Sequence, residues 1–540
     1  MPLRTVADVI ARVFRSHGVN RVFGVPGGGC SLDLIAAFER VGIPYVLART
    51  EAAAAIMAAS TAEATGTLGV VMTTQGPGVA SAVNGVAQAS LDRAPVILIS
   101  DGWTEKQASF DTHQVFDQKA VMKPLVKASS RLDCDDVTSE LENLVATARQ
   151  APWGPVFIEL TGETVRRVVD DHESGRVIPE PKAPSASQIG KARELLATAR
   201  KPVILVGLEA RSRDAGELIS AFAGQLGAPI LATYKAKGVV PDKHPQFIGL
   251  FTGGAVEREC VGQADLIVLC GLDPVELIGR PWPYQAPVLD LGPVDHPIHY
   301  VQPAVRVDGD LSLILEALSP AQAGGGWDVD TFAGMRATVA SRLSYRGQDK
   351  GASGLSPEAV VRTALELNEG NDARVTVDAG AHMFSCMAFW PVARRADALI
   401  SNGLSTMAFS LPAAIAMSLE TPDRPVIAFT GDGGLMMCAG ELSTAAQHAA
   451  RLCIVVFNDS SLSLIAIKQE QRQFGRSGVG WPCVDFAAVA RGFGLQGYSA
   501  ASIDEYRDAM KQAIASGKPA LIDVKVDPTG YLAQSIALRG

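Results

Sequence analysis

Short runs of β-branched and other apolar residues recur along the chain, each followed by a longer segment whose apolar positions return at helical spacing. The runs fall at 21–25, 45–48, 69–73 and 96–100, then at 203–206, 230–233 and 266–270, and finally at 374–378, 426–430, 453–457 and 520–524. Buried strands alternating with amphipathic helices predict parallel sheets with crossover helices. At the start of the chain, Val6, Val9, Ile10, Val13 and Phe14 keep helical spacing behind Thr5, an N-cap residue, so the first element reads as a helix rather than a targeting segment. Two stretches lose periodicity and collect proline, glycine and charge, 171–187 and 319–326, and these read as linkers. The fold expected is therefore α/β, with three doubly wound parallel-sheet domains at 1–170, 188–320 and 328–540. The first and third share a rhythm without a readable sequence repeat.

Composition narrows the function classes. The 540 residues are 47% hydrophobic and only 19% charged, the profile of a packed globular chain. A net charge of −9 gives no global positive field for a nucleic-acid backbone or an anionic membrane, and no apolar run approaches the ~18 residues of a membrane span. The eight cysteines include no C-x-x-C pair, which excludes a zinc ribbon or a disulfide framework. A soluble, cytoplasmic protein is expected, acting on a small-molecule substrate and associating with copies of itself.

Open parallel sheets bind ligands beyond the carboxyl ends of their strands. The run ending at Thr430 leads into Gly431-Asp432-Gly433-Gly434 and then a helix, and the next run ends in Asn458-Asp459-Ser460-Ser461. Neighbouring strands would bring the two aspartates together. Two carboxylates and a backbone carbonyl suit a hard cation such as Mg²⁺ and leave positions for phosphate oxygens and water. Each motif alone is also a common turn or helix cap.

Taken together, these two spaced elements resemble the diphosphate and magnesium motif of thiamine-diphosphate-dependent enzymes, in the branch of acetolactate synthase, pyruvate decarboxylase and benzoylformate decarboxylase. The resemblance implies Asp432, Asp459 and the carbonyl of Ser461 as Mg²⁺ ligands, with Gly431, Gly433 and Gly434 at the cofactor. The family usually has Asn where this chain has Asp459, whose extra negative charge tightens cation binding and opposes the diphosphate. Ser401 to Ala414 resembles the segment that wedges an apolar side chain between the cofactor rings. Met407 matches the wedge, with Ser405 beside it; a Met in such a segment is equally a core residue. Asp378-Ala-Gly-Ala-His382 resembles the diphosphate-side loop and implies Gly380, Ala381 and His382 near the phosphates.

Glu51 follows the run at 45–48 and opens a helix, where a carboxylate is commonly just favoured by the helix dipole. In the resembling family a Glu here bonds the pyrimidine N1′ of the cofactor, a task suited to a partly desolvated carboxylate. Gly28, Gly76 and Asn84 also match the pyrimidine-side domain. The Gly76-Pro-Gly78 stretch lacks the acidic partner of a dinucleotide fingerprint. The resemblance implies active sites between subunits of a homodimer or homotetramer.

The substrate side is less legible. The second domain resembles the family's central domain, but Gly271-Leu-Asp-Pro-Val-Glu276 stands where flavin-using relatives carry arginines, which argues against FAD. His296 and His299, spaced by three, would suit a metal on a helix, whereas Pro293 and Pro297 favour a loop. His113 and Gln114 are candidate catalytic residues; His113 replaces an aromatic residue of acetolactate synthases and reads equally as a proton carrier or a hydrogen-bonded loop residue. Gly27 to Gly29 offers no polar side chain where decarboxylases often place one. The expected function is a thiamine-diphosphate- and Mg²⁺-dependent lyase or transferase, a 2-oxo acid decarboxylase or carboligase of the acetolactate synthase kind. The alternatives are a carbon–carbon lyase on 2-hydroxyacyl-CoA or another small molecule, and a non-catalytic thiamine diphosphate-binding sensor. The 530–540 tail is a candidate lid.

Overall fold

Strands such as Gly69–Thr73, Leu266–Cys270 and Leu452–Asn458 are buried along their whole length. Continuous Val, Ile and Leu, rather than alternation with polar residues, is what a sheet covered by helices on both faces requires. The computed structural model describes residues 3–172, 180–211, 214–277, 279, 281–297, 299–320, 325–347 and 354–539. Parts of both expected linkers, 173–179 and 321–324, lie outside the described residues. Among the described residues, three six-stranded parallel sheets form, beside a two-stranded antiparallel pair of Leu3–Thr5 with Val168–Asp170.

By its internal contacts the chain forms two compact units. The first consists of Met1–Glu180 together with two distant segments, Gly403–Asp423 and Met437–Arg451. Its sheet runs Tyr45–Leu47, Val22–Val25, Gly69–Thr73, Val96–Asp101, Val156–Leu160, Ser129–Ser130. The first helix spans Val6–Ser16, and its N-cap Thr5 accepts from the backbone N–H of Asp8. The helix Glu51–Thr65 is almost wholly alanine and other small residues, buried on nearly every side. That composition lets neighbours approach closely: a Cβ on Gly85 of the adjacent helix would lie 2.5 Å from the Ala55 Cβ, and one on Gly69 would collide with the Ala58 carbonyl.

The second unit holds the other two sheets. One runs Phe247–Leu250, Ile230–Ala232, Pro202–Val206, Leu266–Cys270, Val288–Gly292, Val305–Asp308, which in chain order is 3-2-1-4-5-6. The other runs Ala398–Ile400, Arg374–Val377, Val426–Gly431, Leu452–Asn458, Ala520–Lys525, Gln496–Ala500. Numbered the same way, this sheet and that of the first unit both read 2-1-3-4-6-5. The shared rhythm in the sequence is thus a shared topology. Both orders have a switch point where neighbouring strands send their connections to opposite sides, leaving a crevice at their carboxyl ends.

The tail, expected as a candidate lid, forms a docked helix, Tyr531–Arg539. Tyr531 and Leu538 are buried, Gln534 Nε2 donates to the Leu343 carbonyl at 2.8 Å, and the Arg539 guanidinium lies over the Phe384 ring. Among the described residues no helix is long and apolar enough to cross a membrane.

Candidate functional site

In the first unit Glu51 is the first residue of its helix, behind the strand Tyr45–Leu47. The Thr50 hydroxyl caps that helix by accepting from the Ala53 N–H at 3.2 Å. The Glu51 carboxylate is partly exposed and lies beside Gly78 in the first turn of the next helix, where a Cβ would come within 3.5 Å of Oε1. It therefore faces an opening that glycine keeps free. Nearby, the Tyr45 hydroxyl is buried without a hydrogen-bond partner, and burial and then the Glu51 charge push its pKa up.

The backbone before Glu51 is held by Glu441, which sequence reasoning missed. Glu441 Oε1 accepts from the N–H groups of Arg49 at 2.8 Å and Thr50 at 3.0 Å, and its other oxygen accepts from Thr444 at 2.8 Å. It is 1% exposed, and burial pushes its carboxyl up despite these bonds. Glu441→Ala leaves two amide donors unmatched, so a loss of about 2–4 kcal/mol in unfolding free energy is expected. Glu441→Gln keeps an acceptor oxygen and should lose less, as urea denaturation of both variants would show.

The glycines sit at the first unit's switch point. Gly28 is exposed with open space around it. Gly76 has φ +64°, its N–H donates to Gln118 Oε1 at 2.7 Å, and a Cβ there would lie 2.7 Å from the Gln114 carbonyl. Gln114, itself at φ +63°, is thereby set against Gly76, whereas His113 is exposed and its N–H donates to Asp111. The loop at 27–29 lacks a polar side chain of its own but lies over Asp101. A Cβ on Gly27 would be 2.7 Å from Asp101 Oδ2, and Oδ1 accepts from the Ser31 N–H at 3.2 Å. Asn84 Nδ2 donates to Thr406 Oγ1 at 3.0 Å, which ties it to the segment bearing Ser405 and Met407. Ser405 and Ala408 have φ of +52° and +66°, so Met407 is presented on a backbone that L-residues seldom adopt.

In the second unit, Asp432 and Asp459 follow adjacent strands, as the spacing predicts. Asp432 is 3% exposed; its Oδ1 accepts from the Gly433 N–H at 2.8 Å and its Oδ2 from the Ser460 N–H at 2.6 Å. Burial, and then the Asp459 charge, push its carboxyl up to about 7. Asp459 is also raised by burial, and its Oδ2 accepts from the Ser463 hydroxyl. Ser461 is held by the Val479 carbonyl at 3.0 Å and by Arg476 Nη2 at 2.8 Å, so Arg476 joins the group unannounced by the sequence. Asp378, missed as well, binds the preceding strand end to this one: its Oδ2 accepts from Thr430 Oγ1 at 2.9 Å and lies where a Cβ on Gly434 would collide.

His382 closes the other side of this crevice, but not by its ring. The imidazole is buried and stacks on Phe457 at 5.2 Å, and burial lowers its pKa to about 3, so it is neutral. A Cβ on Gly380 would lie 2.8 Å from the ring and one on Gly431 3.3 Å from it. What Gly380, Ala381 and His382 offer a ligand is backbone at the start of the helix His382–Phe389.

Comparison with known proteins identifies the family. Residues 4–121 match the family described as thiamine pyrophosphate enzyme, N-terminal TPP binding domain; residues 189–318 match its central domain; residues 378–524 match its C-terminal TPP binding domain. The chain is 29% identical to the catabolic acetolactate synthase of Raoultella terrigena, over 96% of this chain and 95% of that protein. It is 28% identical to an acetolactate synthase of Bacillus subtilis, over 96% and 93%, and 28% identical to the acetolactate synthase isozyme 3 large subunit of Escherichia coli, over 98% and 96%. With all three domains of one family matched in order across most of its length, the chain belongs to the thiamine pyrophosphate enzymes and is a thiamine-diphosphate-dependent enzyme.

Proposed function

We propose that the protein is a Mg²⁺-dependent 2-oxo acid decarboxylase or carboligase of the acetolactate synthase kind, with 1–170, 188–320 and 328–540 as its pyrimidine, central and diphosphate domains. The observation that carries this reading is the junction of two strand ends through the Asp432–Ser460 hydrogen bond, which brings a buried and a half-buried carboxylate to one crevice. Burial and then the Asp459 charge raise the Asp432 carboxyl, and burial raises that of Asp459, a strain that a divalent cation would relieve, so the residues fit one. Asp432, Asp459 and the Ser461 carbonyl would hold Mg²⁺, and the amides around Gly380 and Gly433 would face the diphosphate. Bound there, thiamine diphosphate supplies a carbon nucleophile and an electron sink beside a carbonyl.

The chain's own residues do the rest. Glu51 holds and exchanges a proton at the pyrimidine N1′, with its backbone fixed by Thr50 and Glu441. Met407 supports the cofactor rings, with Gly28, Gly76, Asn84 and Ser405 around them. His113 and Gln114 stand on the substrate side, where the His113 side chain is exposed. Asp101, under the 27–29 loop, supplies a buried carboxyl at the place where that loop has no polar side chain. The active unit is a homodimer or homotetramer in which Glu51 of one copy serves the aspartates of another. FAD has no place in this reading, since the strand ends of the second domain carry Glu209, Asp273 and Asp290.

The test is incubation of the purified chain with thiamine diphosphate, Mg²⁺ and a panel of 2-oxo acids and acyl-CoA esters, followed by mass measurement of products. Carbon dioxide release and a new hydroxy-ketone product from a 2-oxo acid are expected. Turnover confined to acyl-CoA esters would instead identify the carbon–carbon lyase.

A further inference from the structure

The 3-2-1-4-5-6 sheet of the second unit has its own crevice, at the carboxyl ends of Pro202–Val206 and Leu266–Cys270. Three loops meet there. Glu209 lies in the short turn Leu208–Ala210 after the first of these strands, Asp273 follows the second, and His296 lies in the loop after Val288–Gly292. The prolines around His296 do make a loop, and that loop carries the imidazole to the two carboxylates. His296 Nε2 is 3.1 Å from Glu209 Oε1, and its Nδ1 is 3.9 Å from Asp273 Oδ1. One ligand atom from each residue falls within 4.8 Å of the other two.

We propose that Glu209, Asp273 and His296 form a divalent-cation site in the central domain, separate from Asp432 and Asp459. One imidazole and two carboxylates from different strand ends suit a transition-series ion such as Zn²⁺, Mn²⁺ or Co²⁺. A separation near 3 Å between nitrogen and oxygen is roughly the edge of a polyhedron whose bonds are about 2.1 Å. A second observation points the same way. Asp290, 2% exposed, and His299 line the same crevice, with His299 Nε2 3.9 Å from Asp290 Oδ2, and both Asp290 Oδ1 and His299 Nε2 are buried without a hydrogen-bond partner. Polar atoms left so inside a fold call for a ligand.

Charge agrees. Among the described residues, Glu209, Asp290 and Asp308 lie around the Arg306 guanidinium, which binds Asp290 and lies 2.9 Å from Asp308. A cation offsets this excess, whereas a nucleotide diphosphate would add to it. Glycine leaves the room: a Cβ on Gly292 would lie 3.3 Å from Glu209 Oε2.

The experiment titrates CoCl₂ into the full chain, stripped by chelator and free of thiamine diphosphate, following visible absorption and cobalt stoichiometry. Two equivalents are expected in the unmodified chain, one at each site, and one with ligand-field bands is retained in Asp432→Asn. In His296→Ala and Glu209→Gln affinity should fall by more than the roughly 10–100-fold that loss of an outer partner costs, with circular dichroism confirming that the variants fold. Absence of cobalt binding in the Asp432→Asn protein would overturn the proposal and leave His296 as a hydrogen-bonded histidine only. So would an unchanged spectrum and affinity in folded His296→Ala. Neither result touches the proposed function, which the 2-oxo acid panel tests by itself.

Discussion

Glu51→Gln is expected to slow turnover by ~10²–10⁴ while leaving thiamine diphosphate affinity nearly unchanged. The amide has the shape of the carboxylate and retains a hydrogen-bond acceptor, but it cannot exchange a proton with a ring nitrogen. The surrounding structure should survive, because the helix is capped by Thr50 and its approach is held by Glu441, neither of which depends on the Glu51 charge. Losing a carboxylate from the first turn costs the helix only about 0.3–1 kcal/mol. Steady-state rates on the best substrate from the panel, with calorimetric titration of the cofactor, separate the two effects. A rate close to that of the unmodified enzyme would remove Glu51 from the chemistry, and a parallel loss of cofactor binding would make it a structural residue.

The second large effect belongs to Asp432. In the cation-free protein its carboxyl titrates near 7 against an ordinary 3.8. A carboxyl whose folded pKa is raised binds its proton more tightly in the fold. The stability it contributes is therefore fully present below about pH 4 and is lost as pH rises toward and through 7. The shift corresponds to at most about 4 kcal/mol. Asp432→Asn carries no charge to desolvate, so its metal-free unfolding free energy above pH 7 should exceed that of the unmodified chain by a few kcal/mol. Adding Mg²⁺ at pH 8 should reverse the order, stabilising the unmodified chain and leaving the variant unmoved. Urea midpoints from pH 5 to 8, with and without the ion, would check both halves. Identical pH profiles would mean that Asp432 and Asp459 do not repel one another as their burial requires.

Much of the fold was legible because parallel strands buried on both faces leave unbroken apolar runs. Two strands with a buried carboxylate were hidden, although Ala520–Lys525, which carries Asp523, was not. Val156–Leu160 includes Glu159, bound to Arg131 and Gln118, and Val288–Gly292 includes Asp290, bound to Arg306. In both, a partner from elsewhere in the chain makes the buried carboxylate tolerable, and no local pattern announces that partner. Gln496–Ala500, half-exposed at a sheet edge, has too little apolar signal to stand out.

The same distinction runs through the site. Glycine loops and aspartates at strand ends were readable because their chemistry is local. Glu441, Asp378 and Asp101 were not, because each satisfies groups supplied by remote segments. His382 was read by its neighbours, and its ring turned inward because Phe457 offers a stacking face that the sequence does not reveal.

The first unit is closed by segments that lie beyond residue 400. Vectorial synthesis on the ribosome therefore exposes its alanine-rich Glu51 helix long before the Ser410–Glu420 helix that covers it emerges. The nascent amino-terminal sheet must wait, with apolar surface uncovered, until roughly four-fifths of the polypeptide has left the tunnel. Expressed alone, residues 1–180 should be prone to aggregate, and a holding chaperone should improve the yield of the full chain.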